Sequence, residues 1–196
     1  QIHLAARRTG TDAGIRYLRQ VGEGWVEEAV APDRRGWNVA IAFDPKGRPV
    51  VAWDEGRDEI RVATRSGDGW SIERVDAPRV TGGGLALAID GSGRRYLAWY
   101  AQTGDRLVVR FSTDRSGAWT MRRLGRVDPY GPPTLAVTAD GIAWLASAVT
   151  FGWTHGIDRI RATRIEGERL TAKRLGLGWD PRVALDADGS PVVAWE

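Results

Sequence analysis

The sequence predicts an all-β fold, a β-propeller of about four blades, each with four antiparallel strands. Four segments repeat one pattern, each carries an Asp-first and Gly-containing turn, and Gly or Pro interrupts every window long enough for a useful helix. The turn aspartates are spaced by 46, 50 and 46 residues, at Asp44, Asp90, Asp140 and Asp186. A strand-rich repeat of this length is typical of radially arranged blades.

The first strand of each repeat, strand A, is apolar on both faces. "VAIAF" from Val39 and "LALAI" from Leu85 alternate bulky with small residues. Period-two alternation predicts a strand, and a strand without a polar face must be covered on both sides. We therefore expect sheets that stack closely, large residues against small ones.

The other three strands follow in order after Gly- and Asp-rich turns. Strand B is of the "PVVAW" type, strand C resembles "IRVATR" from Ile60, and strand D begins near a Trp, as in "WSIERV" from Trp70. The Trp residues of strands B and D are expected in the core: Trp25, Trp53, Trp70, Trp99 and Trp119. "TGGG" from Thr81 is interpreted as a connection between blades. A β-sandwich is the alternative fold, but it gives no reason for the sequence to repeat.

We expect one propeller domain over residues 1–196. Residues 1–36 form a partial blade of strands B, C and D, residues 37–81, 82–131 and 132–181 form complete blades, and residues 182–196 form a partial blade of strands A and B. The ring therefore does not close neatly. Either the last A strand completes the first unit, or self-association or a missing segment extends a larger or multi-chain ring. The start at Gln1 indicates a processed product or an excised piece.

Composition narrows the possible partners. The net charge of +3 and the pI near 9.7 allow a phosphate-binding surface, but acidic residues are interleaved with the basic ones, so we expect no nucleic-acid partner. No stretch approaches the roughly 18 consecutive apolar residues of a membrane span. Without cysteine there is no disulfide framework or thiolate chemistry.

The turn from Ser112, "STDRSGAW", resembles the Asp-box of sialidase-like (BNR-repeat) β-propellers. Ser112, Asp114 and Trp119 are in register with that pattern, whereas Gly117 is displaced by one and Ala118 replaces the expected Thr. The resemblance implies a propeller fold, with turn amides bound by Ser and Asp and with the Trp packed between strands. It implies little about chemistry, because Asp-boxes are structural.

Sialidases in that family use an arginine triad, a Tyr–Glu nucleophile pair, an Asp acid and a Phe/Tyr-Arg-Ile-Pro motif, and the last is absent here. Arg16, Arg61 and Arg161 resemble a triad, but they share one strand-C position in three different repeats. We interpret them as a repeat feature that stacks or pairs between blades.

The candidate ligand-binding residues lie in the loops that join strand D to A and strand B to C. These loops share one face of a propeller and differ among the repeats, and divergent loops on a uniform scaffold often carry specificity. They offer aromatic rings beside amide and carboxylate groups, which suits sugar binding. The alternative is that the rings fill gaps between blades. The candidates are Trp37, Asn38, Tyr130, Trp153, His155, Trp179 and Asp180, with Asp128 nearby.

The sequence indicates no cofactor and no metal site. "DADGS" from Asp186 lacks the later ligands of a calcium loop, and His3 and His155 are too few for an imidazole zinc site. No catalytic residue is assigned. Hydrolysis would need two carboxylates, and the candidates expected in the B–C loops are Asp54, Glu55, Asp58, Asp105 and Asp158.

We therefore expect a ligand-binding propeller that recognises a glycan or a protein surface, in an extracellular or cell-surface location. The alternatives are a sialidase-like glycoside hydrolase and a structural or assembly propeller that oligomerises.

Overall fold

The computed structural model describes residues 1–34, 36–56, 58–77, 79–104, 106–115, 118–127, 131–149 and 159–196. Within these described residues, seventeen strands form five antiparallel sheets in chain order. Sheet 1 contains β1 (His3–Arg8), β2 (Gly14–Val21) and β3 (Gly24–Pro32). Sheet 2 contains β4 (Val39–Phe43), β5 (Pro49–Asp54), β6 (Glu59–Ser66) and β7 (Gly69–Asp76).

Sheet 3 contains β8 (Val80–Ile89), β9 (Arg95–Thr103), β10 (Arg106–Arg115) and β11 (Ala118–Val127). Sheet 4 contains β12 (Thr134–Val137), β13 (Ala143–Val149), β14 (Arg159–Glu166) and β15 (Arg169–Leu177). Sheet 5 contains β16 (Arg182–Leu185) and β17 (Pro191–Ala194). The chain is an all-β propeller with four-stranded antiparallel blades, as predicted, and about four blades fit. Among the described residues, no helix is long and apolar enough to cross a membrane.

The apolar core lies in the seams where successive sheets stack. One cluster joins sheets 1 and 2 around Tyr17 and Trp53, a second joins sheets 2 and 3 around Val62 and Trp99, and a third joins sheets 3 and 4 around Phe111. The innermost strands β4, β8, β12 and β16 are neighbours in succession. Because both faces of a sheet are apolar, sheets 2 and 3 are covered from both sides, as the sequence predicts, whereas sheet 1 is covered on the side of sheet 2 alone among the described residues.

The hairpin between the first two strands of each repeat uses one hydrogen-bond pattern. The Oδ1 atoms of Asp44, Asp90 and Asp186 each accept from the backbone N–H four residues later. In sheet 4 the equivalent residue is Thr138, whose Oγ1 accepts from Ile142 N at 2.9 Å. The prediction of Asp140 as the turn residue of this repeat was wrong, because in sheet 4 the Thr138 hydroxyl takes the place of the aspartate carboxylate. The true repeat positions are 44, 90, 138 and 186, spaced by 46, 48 and 48 residues.

Two further sequence interpretations needed correction. Trp53 and Trp99 are buried and Trp70 and Trp119 are half-buried, but Trp25, on β3 of sheet 1, is 46% exposed. The segment from Thr81 is part of β8 rather than a connection, with a register shift between Val80 and Leu85.

Tyr96 gives the fold a testable dependence on alkaline pH. Its buried hydroxyl donates to Asp90 Oδ2 at 2.8 Å, and burial together with this hydrogen bond raises the pKa of Tyr96 to about 12. An unfolded tyrosine titrates near pH 10. The folded protein therefore holds this proton more tightly, and the stabilisation is complete below about pH 10 and lost as the pH rises toward about 12.

We expect the free energy of unfolding, measured by denaturant titration, to fall across this pH interval. Tyr96→Phe is expected to remove the part of the fall that arises from this hydroxyl. An identical pH dependence in the two proteins would contradict the assignment.

Candidate functional site

The strand-C arginines occupy one position of the repeat, opposite strand B. Arg61 pairs with Trp53 and Arg161 with Ser147, and the register adds a fourth member, Arg110, opposite Trp99. Sequence comparison missed Arg110 because the apolar run before it, Leu107–Val109, is two residues longer than the single Ile before Arg61. These arginines are distributed over sheets 1 to 4, one in each, which fits a repeat feature rather than a converging triad.

Two of these arginines bind within their own sheet, not between blades as expected. Arg16 Nη2 donates to Asp12 O at 2.9 Å, and Arg61 Nε donates to Glu55 Oε2 at 3.1 Å. Their guanidinium groups therefore stabilise the ends of single sheets.

The first group of candidate residues, the Trp37 subsite, consists of Arg7, Trp37, Asn38 and Asp54. Trp37 lies in the loop between β3 and β4 and is 71% exposed, with the Arg7 guanidinium 4.8 Å from its ring centre. The carboxylate of Asp54 is buried at the end of β5 and holds this loop. Its Oδ1 accepts from Trp37 N at 2.6 Å and from Asn38 N at 2.9 Å, and its Oδ2 accepts from Asn38 Nδ2 at 2.6 Å.

The approach of the Trp37 loop to β5 requires a glycine. A Cβ atom at Gly36 would lie 2.9 Å from Trp53 Cδ1 and 3.1 Å from Asp54 O. In the same loop Arg34 Nη1 donates to Glu55 Oε1 at 2.8 Å, which joins the D–A loop to the B–C loop of sheet 2. Trp37 is thus presented to solvent from a backbone that several charged groups hold in place.

The second group, the Trp179 subsite, lies between β15 and β16 and consists of Gly131, Trp179, Asp180 and Arg182. Trp179 is half exposed, and its backbone exchanges two hydrogen bonds with Glu196, at 2.8 and 3.1 Å. Asp180 has a positive φ of 46° and receives a hydrogen bond from Arg182 Nη2 at 2.9 Å. A Cβ atom at Gly131 would lie 2.5 Å from Asp180 Oδ1, so the loop before β12 meets Asp180.

No hydrogen bond, ion pair or ring contact joins the Trp37 subsite to the Trp179 subsite among the residues described. The remaining candidates Tyr130, Trp153 and His155, and the neighbouring Asp128, lie outside the described residues.

The carboxylates considered for hydrolysis have structural partners where they are described. Asp54 lies on β5 rather than in a loop and holds the Trp37 loop, Glu55 binds Arg34 and Arg61, and Asp58 Oδ1 accepts from Arg79 N at 2.8 Å. Asp105 and Asp158 lie outside the described residues.

The turn that resembles an Asp-box forms part of the seam between sheets 2 and 3. Ser112 Oγ donates to Thr120 O at 2.9 Å, and Asp114 accepts from Arg95, whose guanidinium lies 5.2 Å from the Trp119 ring centre. Trp119 Nε1 donates to Glu73 Oε2 at 3.3 Å, across the seam. Gly117 lies outside the described residues.

The comparisons with known proteins show the fold. No protein-family model matches the chain, and no curated protein sequence matches it. The chain is similar to the structure of a mutant of the Aleuria aurantia lectin AAL in complex with Fucα1-6GlcNAc, with a TM-score of 0.66, 11% identity, and coverage of 99% of this chain and 67% of that chain.

A second similar structure is an α-L-arabinofuranosidase from Clostridium thermocellum, with a TM-score of 0.48, 11% identity, and coverage of 93% of this chain and 71% of that chain. At 11% identity the first one shows a β-propeller fold and nothing about the ligand.

Proposed function

We propose that this protein is a binding module that recognises a glycan through the face formed by its D–A and B–C loops. The observation that carries the proposal is the Trp37 subsite. It presents a largely exposed indole from a loop whose backbone is bound by a buried carboxylate. Such preorganisation lowers the ordering cost of binding.

A glycan fits this site better than an apolar protein surface does. Indole faces pack against the C–H faces of sugars, and Trp37 is 71% exposed although the Arg7 guanidinium lies over its ring. That guanidinium supplies hydrogen-bond donors for sugar hydroxyl groups close to the indole. The lectin AAL, which shares the fold, was solved with Fucα1-6GlcNAc, and this supports a glycan as the first ligand class to test. An extracellular or cell-surface location would follow from such a ligand.

The separate Trp179 subsite suggests that a ligand engages more than one loop. Two weak sites on one rigid scaffold bind a branched or repeated glycan more tightly than either site alone. We therefore include Trp179 and Asp180 in the proposed binding face, and Tyr130, Trp153 and His155 remain proposed members.

Glycoside hydrolysis by a sialidase-like enzyme is the alternative, and its support is the partial Asp-box from Ser112. The described candidate carboxylates argue against it, because Asp54 on β5 and the loop residues Glu55 and Asp58 are bound to the protein's own groups. Turnover of chromogenic glycosides, abolished by replacing one loop carboxylate, would favour this alternative.

A glycan array that includes Fucα1-6GlcNAc, followed by calorimetric titration of the best-bound glycan, tests the proposal. Trp37→Ala and Trp179→Ala are each expected to weaken binding by about tenfold, since an aromatic stacking contact contributes on the order of 1 kcal/mol. Trp25→Ala is the matched control, because Trp25 is also exposed but lies on β3 beside a C–D turn. Silence on the array, or equal affinities for all three variants and the wild type, would overturn the proposal.

A further inference from the structure

A cleft lies in the seam between sheets 2 and 3, far from the candidate loops. It has a volume of about 180 Å³, with β5 and β6 on one side and β8, β9 and β10 on the other. Val50, at the start of β5, lines this cleft, whereas Asp54, which holds the Trp37 loop, lies at the end of the same strand. The cleft and the Trp37 subsite therefore lie at opposite ends of the blade.

The cleft lies where one position of strand B carries no aromatic ring. Val50 holds this position in sheet 2, whereas the register gives it to a ring-bearing residue in sheets 1, 3 and 4: His3, Tyr96 and Trp144. Between sheets 1 and 2 the ring centres of His3 and Phe43 are 4.8 Å apart, and between sheets 3 and 4 Tyr96 is part of the buried core. Across the cleft from Val50 stands Ile89, which holds the position of Phe43. Two aliphatic side chains thus leave open a space that rings fill in the neighbouring seams.

Two ion pairs line the cleft, and their charges cancel. Arg48 Nε donates to Asp44 Oδ2 at 2.7 Å in the turn between β4 and β5, and Arg95 Nε donates to Asp114 Oδ2 at 3.0 Å in sheet 3. With two cations and two anions in its walls, the cleft gives a charged ligand no net attraction. It favours a neutral ligand that can both donate and accept hydrogen bonds.

Asp114 distinguishes this seam from the others. Its position, opposite the first residues of strand D, is held by Arg65 in sheet 2 and by Ile165 in sheet 4. The side chains of Arg95 and Asp114 are only 16% and 12% exposed. An ion pair removed from water is weak evidence for a stabilising role. Its presence in the one described seam that has the cleft fits a polar wall for a ligand.

Two groups in the cleft have hydrogen-bonding capacity that the protein does not use. The half-buried side chain of Thr64 lines the cleft from β6, and its hydroxyl makes no hydrogen bond within the described part of the chain. Arg48 binds Asp44 through Nε and Nη2, which leaves the N–H groups of Nη1 without a partner among the same residues. A hydroxyl and a guanidinium N–H are thus available to a ligand beside the apolar side chains of Val50 and Ile89.

We propose that this cleft is a second binding site, which takes a single neutral sugar ring. The C–H face of the ring packs against Val50 and Ile89, and its hydroxyl groups bind Thr64 Oγ1 and Arg48 Nη1. The volume is below the roughly 300–1,000 Å³ of sites for drug-sized ligands, so one ring fits better than an extended chain. The site does not depend on the Trp37 subsite, because no residue is shared between them.

Saturation-transfer NMR and titration with the methyl glycosides of D-glucose, D-galactose, D-mannose and L-fucose test the site. At least one of them is expected to bind. Thr64→Val keeps the shape of the side chain and removes its hydroxyl, so binding is expected to weaken by about fivefold with no loss of stability. Val50→Tyr places a ring where the next repeat has Tyr96 and is expected to abolish binding. Thr171→Val is the matched control, because Thr171 is exposed on β15.

Thermal unfolding establishes that each variant is folded, and Thr64→Val decides alone if Val50→Tyr does not fold. Failure of all four glycosides to bind would overturn the proposal. So would a folded Thr64→Val protein with the affinity of the wild type, or tighter binding of glucuronic acid than of every neutral glycoside, since the cleft would then select an anion.

Discussion

Alanine in place of Trp99 is expected to lower the free energy of unfolding by about 3–5 kcal/mol. Trp99 is fully buried in the seam between sheets 2 and 3, where it packs with Val62, Ala77 and Leu97. Truncation removes the apolar contacts of the whole indole and leaves a cavity that two rigid sheets cannot close. This loss is a large fraction of the net stability of a typical domain.

Chemical denaturation followed by fluorescence or circular dichroism measures the loss of stability. Trp25→Ala is the control, because it is the same substitution at an exposed position. Trp25 is half exposed at the free face of sheet 1, so its truncation is expected to cost less than about 1 kcal/mol in the monomer. Equal losses for the two variants would contradict the placement of Trp99 at a seam.

The architecture was predictable because blades repeat both sequence and burial. Alternation of large and small residues in β4 and β8 is enough to predict strands covered on both sides. The errors arose where a different side chain takes the same role at an equivalent position of the repeat. Thr138 performs the turn function of an aspartate, and a search for aspartates selected Asp140 instead.

The candidate site was predictable in part. The loop aromatics Trp37 and Trp179 are exposed as a binding face requires. Their partners were missed because Arg7 and Asp54 come from other strands, and only the fold brings them to the loops. Asp54 was named from the sequence only as a candidate for hydrolysis. Its position directly after the apolar run "PVVAW" was the signal for its structural role, because a buried carboxylate must have hydrogen-bond partners.

Replacing Asp54 with alanine is expected to lower the free energy of unfolding by about 2–4 kcal/mol and to abolish binding at the Trp37 subsite. The substitution leaves two backbone donors and the Asn38 amide without the carboxylate that they share, and hydrogen bonds to a charged group contribute roughly 1.5–3 kcal/mol each. The loss is limited because the loop can move outward and bind water, and that same movement displaces the Trp37 ring.

Two further variants distinguish the effect of Asp54 on stability from its effect on binding. Asn38→Ala removes one side-chain donor to the carboxylate and keeps both backbone bonds, so a loss of about 1.5 kcal/mol is expected, with Trp37 still in place. Asp188→Ala changes an exposed turn carboxylate and is expected to alter stability by less than about 0.5 kcal/mol. Denaturant titration and glycan calorimetry on the three proteins check this order. An Asp54 variant that loses stability yet binds glycan normally would show that Trp37 does not need a fixed loop, and the preorganised site would then be the wrong explanation for binding.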